Sequence, residues 1–310
     1  MYIAPISFWG DSNLYAIEPF HVVFYRCIYI AWAETELTLR GLGLSGCEAT
    51  SSSYSGHYGG AVYLESGAIL HTISSTVKDS KALSGQGGAI YTSGGAVVNL
   101  IDSHVSNSEA NYGGGIFTAW PATVTIVRST VSSCIAQISG GNIFLNGVYT
   151  SSSATAQSIL VMTDSAVNEG IARSYYGGGL YVGAFSQANI SGTVFSSNIG
   201  YRHGAGIYFH GSTYEDSTFT MADRCVVRNN TIIGGGIDDS FYGTHAYHGA
   251  GVWVSSDIVG SISETRFEGN TGATYGGGEL NYCDSVAYLN RLFFCINCSY
   301  AFSFIRAYPF

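Results

Sequence analysis

The amino-acid sequence predicts an all-β, right-handed parallel β-helix of about nine rungs of roughly 27 residues. Three observations lead there. A glycine-led pentapeptide recurs at a nearly constant interval, and a second motif follows it at a fixed distance. The runs between are short and β-branched, without the i, i+3, i+4 periodicity of helices.

The first motif reads GGAVY from Gly59, GGAIY from Gly87, GGGIF from Gly113, GGNIF from Gly140, GGGLY from Gly177, GAGIY from Gly204, GAGVW from Gly249 and GGGEL from Gly276. Successive first glycines recur at roughly 27 residues, with two longer steps, from Gly140 to Gly177 and from Gly204 to Gly249. The second motif is an apolar residue, two variable ones and a small or polar one: LSGC at Leu44, VKDS at Val77, VSNS at Val105, VSSC at Val131, VNEG at Val167, FSSN at Phe195, VRNN at Val227, FEGN at Phe267 and FCIN at Phe294. In most copies it starts about 18 residues after the first Gly. The exceptions, Gly140 to Val167 and Gly204 to Val227, read as insertions of about 9 and about 5 residues. GGGID at Gly234 is out of register, because Phe267 lies too far beyond it, whereas Gly249 restores the usual distance to Phe267. Gly234 therefore belongs to an inserted loop covering about Thr231 to His248.

Three short strands per rung, stacked on identical strands of the next, would bury a shared core. At about 4.8 Å per rung, nine rungs make a rod on the order of 40 Å long. A leucine-rich repeat allows this period but not a chain with only 15 leucines. A calcium-binding nonapeptide solenoid needs G-G-x-G-x-D, which no rung carries.

Each motif position has a physical role. The glycine pair suits a tight corner, since Gly accepts positive φ and close backbone approach. The aliphatics that follow (Val62, Ile90, Ile116, Ile143, Leu180, Ile207, Val252) should stack inward, and Glu279 breaks that ladder in the last copy. The slot ending the second motif (Ser80, Ser108, Asn198, Asn230, Asn270, Asn297) suits a turn whose side chains hydrogen-bond along the stack. Strand alternation sends Tyr63, Tyr91, Phe117, Phe144, Tyr181, Tyr208 and Trp253 to the opposite face. These form a candidate binding stripe for sugar rings or partner proteins if they are exposed, and a packing layer if they turn inward or lie beneath loops. A neighbouring column (Tyr58, Tyr112, Tyr176, His203, His248, Tyr275) is read as corner stacking.

Composition narrows the function classes. Charged residues are 11% and the net charge is −9, with two lysines in the whole chain, so no basic stripe is available for nucleic acid. No apolar run reaches the roughly 18 residues that a spanning helix needs, which argues against a transmembrane helix.

The alternating GGA(I/V/L) and FxxN tetrapeptides resemble the repeats of the polymorphic outer membrane protein family of chlamydia-like bacteria. The resemblance covers about Leu44 to Ser299. The full FxxN form stands at Phe195–Asn198, Phe267–Asn270 and Phe294–Asn297, and GGA(I/V) at Gly59 and Gly87. It implies a pectin-lyase-like β-helix at the cell surface, exported by an N-terminal signal and anchored by a C-terminal barrel. Neither a basic-then-apolar leader nor a series of alternating barrel strands is visible. Residues 1–38 show blurred repeat features, giving a division into a degenerate N-terminal rung or cap (1–38) and a repeat domain (39–310). The expectation is a segment of a longer exported or outer-membrane-associated protein.

Pectin-lyase-like folds include lyases and hydrolases, so the alternative is a polysaccharide-degrading enzyme. Glycoside hydrolysis needs two facing carboxylates. Asp238 and Asp239, followed by His245 and His248, resemble the aspartate and histidine elements of polygalacturonases, but the Asn-Thr-Asp and Arg-Ile-Lys elements of that family have no counterpart. Asp238, Asp239 and His248 are therefore weak catalytic candidates against a solvated loop. Lys78 and Lys81 around Asp79, and Glu215-Asp216, read as surface turns. Among the seven cysteines, Cys47 and Cys134 occupy the small slot as core fillers. Cys295-x-x-Cys298 with Cys283 favours a disulfide or free thiols over zinc, which lacks a fourth ligand. No metal or cofactor is expected. Sequons at Asn189, Asn229 and Asn297 match chance. The expected function is a non-enzymatic surface or secreted rod or adhesin, with a host or cell-surface protein or polysaccharide as partner.

Overall fold

The computed structural model describes residues 6–7, 12–15, 24–25, 27–30, 32–33, 35–49, 57–119, 121–147, 157–211, 217–234, 249–255, 258–272, 286–290 and 293–294. Those residues form a right-handed parallel β-helix without an α-helix, and among them no helix is long and apolar enough to cross a membrane. Each rung contributes four strands, one more than the sequence reading expected. In the rung that starts at Gly59 they are Val62–Leu64, Ile69–Ile73, Thr76–Lys78 and Lys81–Gln86. Stacked on their equivalents, they build four all-parallel sheets, here numbered I to IV in that order. Among the described residues the sheets hold nine, ten, nine and eight strands. The extra strand arises because the second motif divides into an inward apolar step and a separate run after its slot.

The aliphatics behave as expected. Val62, Ile90, Ile116, Ile143, Leu180, Ile207 and Val252 are fully buried and stack in register through sheet I. Sheet II adds Leu70, Val98, Val124, Leu160, Ala188 and Phe219, and sheet III adds Val77, Val105, Val131, Val167, Phe195, Val227 and Phe267 to the same core. The first glycine of each motif has φ between 57° and 69° in all seven described copies, a conformation where a Cβ carries a steric cost. A second left-handed column occupies the third residue of the second motif. Asp79, Asn107, Ser133, Glu169, Ser197 and Asn229 lie at φ 53–57° and turn the chain from sheet III into sheet IV.

The insertions fall at corners. Those between Ile143–Leu145 and Ser158–Thr163, and between Ile207–Phe209 and Ser217–Ala222, join sheets I and II. The loop expected to start at Thr231 begins later. Thr231–Ile232 is a strand of sheet IV paired with Ile199–Gly200, so the excursion follows it. Residue 38 falls inside strand Glu36–Arg40, which pairs in register with Ile69–Ile73, as Ile28–Ile30 pairs with Val62–Leu64. Ile6–Ser7 and Ser12–Tyr15 continue the same sheets, so the segment joins the solenoid without a break in register.

Candidate functional site

The seven aromatics of the candidate stripe do form one ladder, on the face of sheet I opposite the aliphatics. Strand pairing sets Tyr63, Tyr91, Phe117, Phe144, Tyr181, Tyr208 and Trp253 directly above one another. Rings from Tyr63 to Tyr208 stack at centroid distances of 4.2–5.8 Å. Tyr29 extends the ladder by one rung, 5.1 Å from Tyr63. Of the two arrangements the sequence allows, an exposed stripe or a covered packing layer, the covered layer is what results. Tyr63, Tyr91, Phe117, Phe144 and Tyr208 are only 3–8% exposed, while Tyr181 and Trp253 are partly buried.

The cover includes the neighbouring corner column. Tyr58 stacks on Tyr91 at 4.8 Å, Tyr112 meets Phe117 and Phe144 edge-on, Tyr176 lies 4.5 Å from Tyr208, and His203 stacks on Trp253 at 5.0 Å. His248 and Tyr275 of that column lie outside the described residues. Two aromatic columns thus zip together into an outer apolar spine, separate from the aliphatic core. Burial pushes the Tyr91 phenol up to about 12 and raises those of Tyr181 and Tyr208. Tyr63 is raised by burial and by its hydrogen bond to the Glu65 carboxylate. Glu65 ties two rungs together, accepting from Tyr63 Oη at 2.6 Å and Tyr29 Oη at 2.9 Å.

The slot at the end of the second motif is an interior hydrogen-bond ladder. Asn198 Nδ2 donates to Asn230 Oδ1, and Asn230 Nδ2 to Asn270 Oδ1, both at 2.9 Å. Each oxygen also accepts the backbone N–H of the slot residue one rung earlier: Gly170, Asn198 and Asn230 in turn. The Gly170 rung has no slot side chain, and Asn142 from the GGN motif fills it. Asn142 Oδ1 accepts from Cys134 N–H at 3.1 Å, and Nδ2 donates to Asn198 Oδ1 at 3.2 Å. A second interior ladder escaped the sequence reading. Ser75, Ser103, Ser129 and Ser165 precede the strands of sheet III, and each hydroxyl from Ser103 onward accepts the backbone N–H of its predecessor. Its signal is the residue two before each second-motif apolar position: Ser75, Ser103, Ser129 and Ser165, then Thr193, Cys225 and Thr265.

The candidate catalytic residues Asp238, Asp239 and His248 lie outside the described residues, as do Glu215-Asp216, Glu279, Cys283, Cys295, Cys298 and Asn297. Among the described residues no group of three or more His, Cys, Asp or Glu side chains is arranged to hold a metal ion. Lys78 and Asp79 form an exposed turn with a 3.5 Å ion pair. Cys134 is a buried filler, its thiol pushed up to about 12 by burial, and Cys225 is a second buried thiol. Cys47 differs from expectation. It is fully buried, yet disulfide-bonded to Cys27, because the turn entering Ile28–Ile30 passes beside its slot.

Motif counting also passed over some exposed groups. Just past the sheet IV strand Ile171–Ala172, Arg173, Ser174 and Tyr175 are consecutive exposed residues. The Arg202 guanidinium lies 4.8 Å over the Tyr175 ring. No motif marks them: Arg173 lies four residues before Gly177 and Arg202 two before Gly204, so stacking alone brings Arg202 beside Tyr175. No family model, curated protein or solved structure matches this chain.

Proposed function

We propose that the protein is a non-enzymatic rod of the cell surface or of an exported protein, whose outer faces engage a cell-surface protein or polysaccharide. The observation that carries this reading is the double spine. An aliphatic core and an outer aromatic zipper run in register through the same rungs, so the chemistry-rich ring positions are spent on cohesion along the axis. Buried polar side chains are likewise turned to rung-to-rung hydrogen bonds. The Cys27–Cys47 disulfide supports export, since such bonds persist in oxidising compartments. The resemblance to surface-protein repeats points the same way.

The test is to incubate the purified, fluorescently labelled chain with whole cells and, separately, with a panel of acidic and neutral polysaccharides. The expected result is saturable cell binding with no new reducing ends or unsaturated products. Turnover that disappears in Asp239→Asn would replace this reading with the polysaccharide-degrading one.

A further inference from the structure

We propose that the surface just beyond the sheet IV strands Ile171–Ala172 and Ile199–Gly200, around Arg173, Tyr175 and Arg202, is a binding site for a carboxylated sugar. The inference deepens the reading of the rod as a surface-binding element and rests on it for its biological setting. The aromatic ladder of sheet I is closed, so a sugar needs another ring to stack on. Tyr175 supplies one: at 39% exposed, it belongs to the most open rings of the described chain and sits beside exposed Arg173 and Ser174.

The local topology draws these groups together. Arg173 N–H donates to Ala136 C=O and Tyr175 N–H to Ile138 C=O, which holds both residues against the preceding rung. Arg202 N–H donates to Tyr175 C=O, which brings the second guanidinium across from the following rung. The Arg202 head group then lies over the Tyr175 ring at 4.8 Å, an arrangement that fixes its plane before any ligand arrives. The half-exposed Arg173 guanidinium presents paired N–H donors that match a carboxylate, and Arg202 adds its positive charge beside them. The apolar face of the exposed Tyr175 ring suits the C–H face of a sugar.

Charge makes the class specific. The chain carries 12 Lys and Arg against 21 Asp and Glu, so two arginines on neighbouring rungs stand out. The nearby acid, Glu109, touches Arg173 Nη1 only at 3.5 Å, and the same Oε1 takes a shorter hydrogen bond from Gln137 Nε2 at 2.7 Å. Gln137 therefore holds Glu109 toward its own rung, and an incoming carboxylate can take over Arg173 while Glu109 keeps its amide partner. Glu109 is the group that opposes binding.

The experiment titrates the purified full chain by calorimetry with sialyllactose, with oligogalacturonate and, as the uncharged control, with lactose. The expected result is binding of at least one carboxylated probe about tenfold or more tighter than lactose, which arm binds identifying the source of the acid sugar. That affinity should fall about tenfold in Arg173→Gln/Arg202→Gln, corresponding to about 1.4 kcal/mol. It should fall in Tyr175→Ser, rise in Glu109→Gln, and stay unchanged in Arg128→Gln, which removes a cation elsewhere. Circular dichroism and melting confirm that each variant is folded. Equal affinity for sialyllactose and lactose, or full affinity in the double arginine variant, would overturn the site. Silence from both carboxylated probes would overturn the ligand class while whole-cell binding still stands, which separates this failure from failure of the rod reading.

Discussion

The serine rungs and the asparagine rungs solve the same corner with opposite partners. In the rungs beginning at Gly59 and Gly87, the third motif residue is Ala61 or Ala89 and the slot is Ser80 or Ser108. From Gly177 onward the third residue is Gly179, Gly206 or Gly251, and the slot is Asn198, Asn230 or Asn270. A Cβ added at those glycines would come within 2.9–3.2 Å of the asparagine amide facing it. Between the two regions Gly115 faces Cys134, with 3.1 Å from an added Cβ to Sγ, and Asn142 faces Gly170. One position grows as the other shrinks, so the corner is filled jointly by two motifs that look independent in the sequence. The hydrogen bonding differs too. The serine hydroxyls donate within their own rung, Ser80 to Lys78 C=O and Ser108 to Ser106 C=O, and Ser108 Oγ accepts one N–H from the rung before, whereas the Asn198 and Asn230 amides donate to the rungs on both sides.

The largest expected effect is at the junction. Asn142→Ala orphans Cys134 N–H and leaves a void beside Gly170, and should cost about 3–5 kcal/mol, read as a lowered urea midpoint. Gly170→Asn should be comparably damaging, because its side chain meets the Asn142 amide and the Gly178 carbonyl. Asn142→Gly/Gly170→Asn should be less destabilised than the sum of the single variants, since the slot amide returns. Strict additivity would show that the two positions do not share one corner.

Next comes the contrast within the ladder. Asn230→Ala removes bonds to rungs on both sides and should cost about 3 kcal/mol, against about 1 kcal/mol for Ser108→Ala. Equal melting shifts for the two would show that the asparagine rungs are no more tightly linked. Reducing the Cys27–Cys47 bond, which closes 20 residues of sequence separation, should cost about 3 kcal/mol and melt the N-terminal rungs first by hydrogen exchange. Loss spread evenly along the chain would contradict that.

A smaller effect is alkaline. Tyr91 ionises near 10 when unfolded and at about 12 when folded, so its contribution to stability is complete below pH 10 and drains away as pH rises toward 12. Tyr91→Phe should flatten that part of the stability profile, and an unchanged profile would speak against its burial. The smallest is Arg128→Gln. Its paired hydrogen bonds to Asp102 at 2.8 and 2.9 Å are exposed, and no measurable change in melting is expected.

The solenoid was legible because the described rungs from Gly59 to Gly249 repeat the same physical demands: a positive-φ glycine, an inward aliphatic and a small slot. Period counting therefore found the register and rejected Gly234. It missed the fourth strand because Lys81–Gln86 and its equivalents carry little shared sequence beyond Ala82, Ala110, Ala136 and Ala172. Alternation placed the aromatics on the outer face correctly, but alternation knows only in and out. Whether an outward ring meets water depends on the next column, and Tyr58, Tyr112, Tyr176 and His203 reach it from across the glycine corner. Cys47 looked like its serine counterparts for a similar reason: its partner, Cys27, comes from a rung whose motif is blurred. Arg173 and Arg202 carry no motif at all and become neighbours only through stacking.

The aromatic ladder is a closed spine rather than an open platform. Tyrosine nitration of the folded protein, mapped by peptide mass spectrometry, tests it residue by residue. Tyr175 should be modified rapidly, while Tyr63, Tyr91 and Tyr208 stay protected until the chain is unfolded. Nitration of those three at rates comparable with Tyr175 in the folded protein would mean that the ladder is open.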